Sequence, residues 1–578
     1  MNRILSYGAS LGLALSSSVA ISAEKPADYV LTGGTVYTVD KGNSVAEAIA
    51  VRAGEIVYVG GAAGVAGFIG PDTEQRDLNG LIVFPGFTDS HAHLPDGGGT
   101  ILGLGLAGLT SAEAVLDAVK VYADANPDLP VIVGAGWELS LFDEANPQKE
   151  LLDEIVKDRP VFLSAADGHN GWVNTAMLEL AGVTAETADP ENGRIERDDN
   201  GSPTGTFREA AMGLFAAYIP QPSIEQVSEN LRAGIGYQLH NGITATIDAA
   251  IMNDVNEEAY LKAASDKNLP QRVRISLLAA EEMVTSNITE ENALDAVTRL
   301  EARRETYRAA SAGRINAEAV KIFVDGVPEN HTAAMLEPYV GAPLGPDHRG
   351  EPNLSEAALK KYVTALEASD FQVHMHAIGD RAVRMALDAL ETAKDTNGDR
   401  TRRHQIAHLE IVQPEDIARF APLGVSADMQ SLWHYRDAYI TDLTEPFLAE
   451  KLHRWLYPAR SFKNAGARLV WGSDWPVSTS DPFDSMEVAV LRRDPYTDEG
   501  ETWNEVETLT VDDMIHALTM GGAYLMGQEG IRGSIEVGKR ADFIVIDADP
   551  YKIDPSAISD ISVVETYVDG QRVYSSAE

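Results

Sequence analysis

Short β-rich runs open the patterned part of the chain. Tyr29-Val30-Leu31, Thr35-Val36-Tyr37-Thr38, Ala48-Ile49-Ala50-Val51 and Ile56-Val57-Tyr58-Val59 are separated by turns at Gly33-Gly34 and Ala53-Gly54. The C-terminal end reads alike. Phe543 to Ile546 is a strand, and Val564 to Val568 pairs with Arg572-Val573-Tyr574 across Asp569-Gly570. Neither set has enough apolar surface to stand alone. One small β-sandwich domain built from residues 24–80 and 528–578 is the economical reading. Between these ends strand-like runs alternate with helical ones, which argues for βα units and a parallel sheet. Eight strands are predicted, at 81–88, 244–249, 272–279, 317–325, 371–377, 404–409, 424–430 and 467–473. A helix is predicted from Ser355 to Ser369, with Leu359, Tyr362, Val363 and Leu366 at helical spacing. The predicted class is α/β: a (β/α)8 TIM barrel, with its first strand and loop in 81–96 and the other seven strands in 241–527. Residues 97–240 are too many for one crossover and contain Val131-Ile132-Val133 and Val161-Phe162-Leu163, so they are expected to form an inserted α/β subdomain.

Charge narrows the partners. The 578 residues carry 46 Lys plus Arg against 88 Asp plus Glu, a net charge of −42. Such a surface repels nucleic acid and anionic membrane, and it suits a salty medium that screens self-repulsion. Before Glu24 the only charged residue is Arg3. The segment between them holds the apolar run Leu11 to Leu15 and ends in Ser18-Val19-Ala20 and Ile21-Ser22-Ala23. This pattern resembles a secretory signal peptide over residues 1–23, so a periplasmic or secreted location is expected. An uncleaved anchor is the alternative, which the Ser and Gly content weakens. No later stretch is long and apolar enough to span a bilayer, so no stable membrane insertion is expected after cleavage. With no cysteine, disulfides, lipoprotein attachment and thiol catalysis are excluded.

Polar residues at the predicted strand ends carry the chemistry, because barrel active sites form where strands end and βα loops begin. Strand one leads into His91 and His93. Two residues apart on an extended chain, they share a face and can share one metal ion. Strand four carries Lys321 inside an apolar run. Strand five ends in His374-Met375-His376, strand six in Ala407-His408 and strand eight in Gly472-Ser473-Asp474. Imidazoles and a carboxylate suit zinc and neighbouring metals. Each has a bland reading too: packed histidines, a lysine snorkelling to the rim, Asp474 as a cap. Asp380 is read as the cap of the helix after it, with no chemistry.

The stretch Pro85-Gly86-Phe87-Thr88-Asp89-Ser90-His91-Ala92-His93 resembles the first-strand signature of the amidohydrolase superfamily. Other stretches are similar to its YtcJ-like branch (amidohydrolase family 3). These are Gly134-Ala135-Gly136-Trp137, Asp167-Gly168-His169 with Trp172-Val173-Asn174, Pro203-Thr204-Gly205, His376 to Ala382, and Gly472-Ser473-Asp474. Gly533 to Phe543 matches the return into the small β-domain, so the resemblance covers nearly the whole mature chain. It implies that His91 and His93 bind a first metal, that Lys321, carboxylated on its amine, bridges two metals, and that His376 and His408 bind the second. Asp474 would touch the first metal and move protons. His374 and His376 share a face, so spacing admits either; the family pattern names His376. One or two divalent ions, zinc foremost, are implied, with Lys321 unmodified if only one is used.

The expected activity is hydrolysis of a non-peptide C–N bond, in an amide or N-acyl compound, by a metal-activated hydroxide with Asp474 as proton shuttle. The same site could open a lactone, carbamate or phosphoester. A reading of another class is a non-catalytic solute-binding protein with a degenerate site, against which stands the full ligand set. The expected partner is a small-molecule substrate, and nothing in the chain opposes a homodimer. For substrate contact the residues are His169, as a hydrogen-bonding group, with Trp137 and Trp172 either on the pocket wall or in the subdomain core. Glu209 and Arg381 match branch positions and are also read as a buried ion pair.

Overall fold

The computed structural model describes residues 25–577 apart from 252, 268, 279–287, 342–343 and 498–499. The expected signal peptide lies outside them. Eight parallel strands form one sheet, each beside its sequence neighbour. They are barrel strands 1 (Phe87–Ala92), 2 (Ile243–Asp248), 3 (Arg272–Leu278), 4 (Ile315–Phe323), 5 (Gln372–Ala377), 6 (Gln405–His408), 7 (Ser426–Met429) and 8 (Arg468–Trp471). Strands 1 and 8 meet at the seam. Ala92 bridges Trp475, the His93 amide donates to the Trp475 carbonyl at 2.8 Å, and the Asp474 amide donates to the His91 carbonyl at 2.7 Å. The barrel is α/β and nearly closed, as the alternation of runs predicts.

The first strand differs from its expectation at 81–88. Ile82–Pro85 belongs to another sheet, pairing antiparallel with Phe543–Ile546 and parallel with Thr35–Tyr37. The barrel strand starts only at Phe87 and therefore contains His91. All four residues of Ile82–Pro85 and all six of barrel strand 1 are buried, so hydrophobicity alone could not divide them. The division falls at Gly86. A Cβ there would lie 2.3 Å from Thr244 Cγ2, too close for any side chain.

The sheet that takes up Ile82–Pro85 unites strands from both chain ends. It runs Gln571–Ser575, Val563–Val568, Phe543–Ile546, Ile82–Pro85, Thr35–Tyr37, Val45–Ala46. A four-stranded sheet that includes Tyr29–Thr32 and Ala48–Arg52 shares its core through Leu31, Ile49, Val51, Phe543 and Val545. The hairpin turn at Asp569-Gly570 has φ of 49° and 73°, the left-handed pair that matches strand twist. Arg272 on barrel strand 3 joins the two bodies, donating to Asp542 at 2.9 Å and to Asp569 at 2.5 Å. Between barrel strands 1 and 2, six strands from Leu104–Gly105 to Pro203–Glu209 form a separate mixed sheet.

The helix Glu356–Ala368 is capped by Ser355, whose side chain accepts from the Ala358 amide, and it buries Leu359, Tyr362, Val363 and Leu366. Asp380 is not a cap. It lies inside the helix Asp380–Asn397, and its carboxylate accepts from the Leu336 amide at 2.8 Å and from Gln413 Nε2 at 2.6 Å. Helix position suggested a cap; two neighbouring loops claim both oxygens instead. Among the described residues no helix is long and apolar enough to cross a membrane.

Gly86→Ala should lower the thermal unfolding midpoint, with a cost of about 1–3 kcal/mol from overpacking. Adding Thr244→Ala should recover part of it. Unchanged melting in the single variant would show that the contact with Thr244 is not what requires glycine.

Candidate metal centre

The C-terminal strand ends bring all six residues of the expected ligand set together. Asp474 Oδ1 lies 3.3 Å from His91 Nε2 and 3.2 Å from His93 Nε2. His408 Nδ1 is 4.0 Å from Asp474 Oδ2. The His376 and His408 rings are 4.5 Å apart, and Lys321 Nζ is 3.2 Å from His91 Nε2. His408 and Asp474 have φ of 77° and 57°. Such left-handed conformations cost roughly 1–3 kcal/mol each and persist where surrounding structure enforces them. Asp474 is held by its amide bond to the His91 carbonyl.

The residues fit a divalent cation. Asp474 Oδ1 and His408 Nδ1 are buried and have no hydrogen-bond partner, which is rare for polar atoms in a folded protein. His91, His408 and Asp474 each offer a donor atom within 4.8 Å of the others. Burial, reinforced by Lys321, pushes His91 and His376 far below the usual imidazole range; burial also does so for His408, with His376 adding to it. Neutral imidazoles keep the lone pair that a metal needs. Burial works against the charged form of His93 as well, but the Asp474 carboxylate outweighs it and raises that ring. Lys321, buried at the barrel centre, falls to about 8.

His374 and His376, which spacing left undivided, have different surroundings. His374 Nε2 is 2.9 Å from His91 Nδ1, and its Nδ1 is 3.1 Å from Ser276 Oγ, so both nitrogens are engaged. His376 faces His408 and the Gly326 carbonyl, at 3.3 Å from its Nε2. His374 also groups with His91 and Asp428, each offering a donor atom within 4.8 Å of the others, so it too stands in a set able to hold an ion.

Several residues here were missed from sequence. Asp89 takes the His91 amide at 3.1 Å, the Ser473 amide at 3.0 Å and the Ser473 hydroxyl at 2.5 Å, tying strand 1 to the loop that carries Asp474. Asp428 lies on strand 7, accepts from Ser90 at 2.9 Å and Gln405 at 2.8 Å, and is raised to about 8 by burial. A charged residue inside the apolar run 424–430 was the available signal for it. Asp89 sits two residues before His91, on the same strand face.

His169 reaches the site, its ring 5.8 Å from that of His376. Its Nδ1 is 2.8 Å from Glu209 Oε2. Burial alone would lower His169; the Glu209 carboxylate outweighs it and holds the ring at about 9. Glu209 pairs with His169, and its other oxygen accepts from Thr332 at 2.5 Å, so the alternative of a pair with Arg381 is corrected. The pocket-wall reading of Trp137 and Trp172 is also corrected. Both are fully buried in the subdomain core with Leu104, Val119 and Leu163. Their indole N–H groups donate to the carbonyls of Leu163 at 3.1 Å and Gln148 at 3.2 Å. Their bulk fills space between the subdomain's elements, and only folding could show that.

Comparison with known proteins agrees with this architecture. The sequence model of the amidohydrolase family matches residues 74–574. The putative amidohydrolase YtcJ of Bacillus subtilis is 31% identical over 94% of this chain and 98% of its own. An N-substituted formamide deformylase of Arthrobacter pascens is 28% identical over 94% of this chain and 97% of its own. An uncharacterized metal-dependent hydrolase of Pyrococcus horikoshii has a similar fold, with a TM-score of 0.69 at 23% identity over 91% of this chain and 99% of its own. With the family model spanning the whole barrel and the C-terminal strands of the small β-domain, this chain belongs to the amidohydrolase family.

Proposed function

We propose that the protein is an exported, metal-dependent hydrolase that cleaves a non-peptide C–N bond of an amide or N-acyl compound. One observation carries the reading: a single oxygen of Asp474 lies 3.3 Å from His91 Nε2 and 3.2 Å from His93 Nε2 without a hydrogen bond to either, beside a lysine amine. His91, His93 and Asp474 would hold one divalent ion, zinc foremost, and His376 and His408 would hold a second if Lys321 is carboxylated. When bound, such an ion supplies Lewis acidity that eases deprotonation of water and polarises a carbonyl. Asp474 takes the proton that the attacking water sheds and passes it to the leaving nitrogen, so the amine departs neutral. His169, kept protonated by Glu209, donates a hydrogen bond to the substrate. Lys321 at about 8 retains a usable share of neutral amine at neutral pH, the form that adds carbon dioxide to give a carbamate. The deformylase among the relatives acts, by its name, on N-substituted formamides, which have the proposed bond type.

The wall near His169 also carries carboxyl groups. Asp167 and Glu329 both interact with His169, and burial raises each, Glu329 to about 8. Export rests on the pattern of residues 1–23.

His93→Ala should lower the zinc content of purified protein and abolish hydrolysis of N-formyl and N-acyl amines, whereas Asp474→Asn should lose turnover more than metal. Full metal loading in His93→Ala would remove strand 1 from the site. Lys321→Ala should be largely inactive and partly rescued by short carboxylic acids; absence of rescue would leave a single-metal centre with an unmodified lysine. His169 is protonated below about 9 and loses its proton above it, so kcat/KM should fall on that alkaline side. Glu209→Gln removes the charge that holds the ring up and should move this limb to lower pH. A limb that stays in place would release His169 from its role.

A further inference from the structure

We propose that His374 is a positioning residue that sets the ring tautomer of His91, through a hydrogen-bond chain Ser276–His374–His91. The inference rests on His91 being a metal ligand as proposed above. The chain runs beneath the candidate metal centre, from barrel strand 3 through strand 5 to strand 1. Ser276 Oγ is 3.1 Å from His374 Nδ1, and His374 Nε2 is 2.9 Å from His91 Nδ1. All three residues are buried, at 0%, 0% and 1% exposure, so no water competes for these bonds.

The logic is one of hydrogen counting. A neutral imidazole has one N–H and one bare nitrogen. His91 Nε2 faces Asp474 and His93, so it is the nitrogen that would take the metal. To bind there, His91 must carry its hydrogen on Nδ1, and that hydrogen points at His374 Nε2. His374 Nε2 must then be bare, which places the His374 hydrogen on Nδ1, donating to Ser276 Oγ. One contact at the metal thus dictates the hydrogen positions on two rings.

The reverse setting is complete only within the chain. The Ser276 hydroxyl donates to His374 Nδ1 and His374 Nε2–H donates to His91 Nδ1, but His91 Nε2–H then meets the Lys321 amine at 3.2 Å, whose own N–H groups compete with it. Between the two settings each ring moves one hydrogen from Nε2 to Nδ1 and the serine turns from donor to acceptor. No proton is gained or lost by the chain. A metal on Nε2 permits only the first setting.

Asp428 does not take over this role. Its Oδ2 lies 3.9 Å from both His91 Nδ1 and His374 Nε2, beyond hydrogen-bond reach, and accepts from Gln405 at 2.8 Å. A partner that fixes the second nitrogen of a metal-bound histidine is usually a carboxylate, carbonyl or water. Here a second imidazole, backed by a serine, holds that place.

The test reads hydrogen position and metal affinity, and needs no substrate. Protein with 15N-labelled histidine is compared by NMR after chelation and after loading with zinc, the His91 and His374 signals being assigned with His374→Gln and Ser276→Ala. Loading should place the hydrogen of both rings on Nδ1. Zinc affinity, measured by competition with a chelating dye, should drop about 10- to 100-fold in His374→Phe. His374→Gln, whose amide oxygen can accept from His91 Nδ1, should recover most of that loss. The proposal is overturned if His91 binds zinc through Nδ1, if His374 Nε2 itself becomes a ligand in an ion shared with Asp428, or if Gln and Phe weaken binding equally. If the His374 variants do not fold, Ser276→Ala marks the signals of the chain and the NMR comparison of the unaltered protein decides. Loss of the amide-hydrolysis reading would leave these measurements unchanged, whereas failure to bind zinc at all would remove the premise they share.

Discussion

The seam between the first and last barrel strands is the constraint on which the site depends. Asp474 can face His91 and His93 only because the loop after strand 8 is bound to strand 1 by backbone. The Asp474 amide reaches the His91 carbonyl, and the His93 amide reaches the Trp475 carbonyl. Asp89 reinforces the join from below, with both oxygens occupied by Ser473. Two segments almost four hundred positions apart in sequence are thereby held in one register. Breaking that register would leave the same residues in the chain without a shared donor set.

Burial then decides the charge states that the site uses. The imidazoles of His91, His376 and His408 are kept neutral because a charged ring would lose its hydration and would stand beside the Lys321 amine and the other rings. His93 and His169 differ because the carboxylate at each, Asp474 at 3.2 Å and Glu209 at 2.8 Å, outweighs the cost of burial. The same residue type therefore serves as a lone-pair donor in one place and a hydrogen-bond donor a few ångströms away. Lys321 sits between these regimes, its amine lowered by desolvation but drawn partly back by Asp474 and Asp428.

The small sheet from both chain ends is an extension of the barrel's own construction. Ile82–Pro85 and barrel strand 1 are consecutive, so the chain passes from one body into the other at Gly86 with no linker. Arg272 then fastens strand 3 to Asp542 and Asp569. A buried ion pair of this kind contributes less through its own attraction than through the cost of leaving one member unpaired. It holds the two bodies in a defined relation.

Sequence by itself determined the βα alternation, the barrel class and the positions where chemistry gathers. Those features follow from local periodicity and from residue types at strand ends, and His91, His93, Lys321, His408 and Asp474 were legible on that basis, whereas His376 was singled out from His374 only by the family resemblance. Tertiary structure alone decided what depends on contact between distant segments. It divided the run at 81–88 between two sheets and put Trp137 and Trp172 into a core. It also turned His374 toward His91, and gave Glu209 to His169 instead of Arg381. Period and composition report which way a side chain faces along its own strand, but the neighbour it meets there is set by how the strands close.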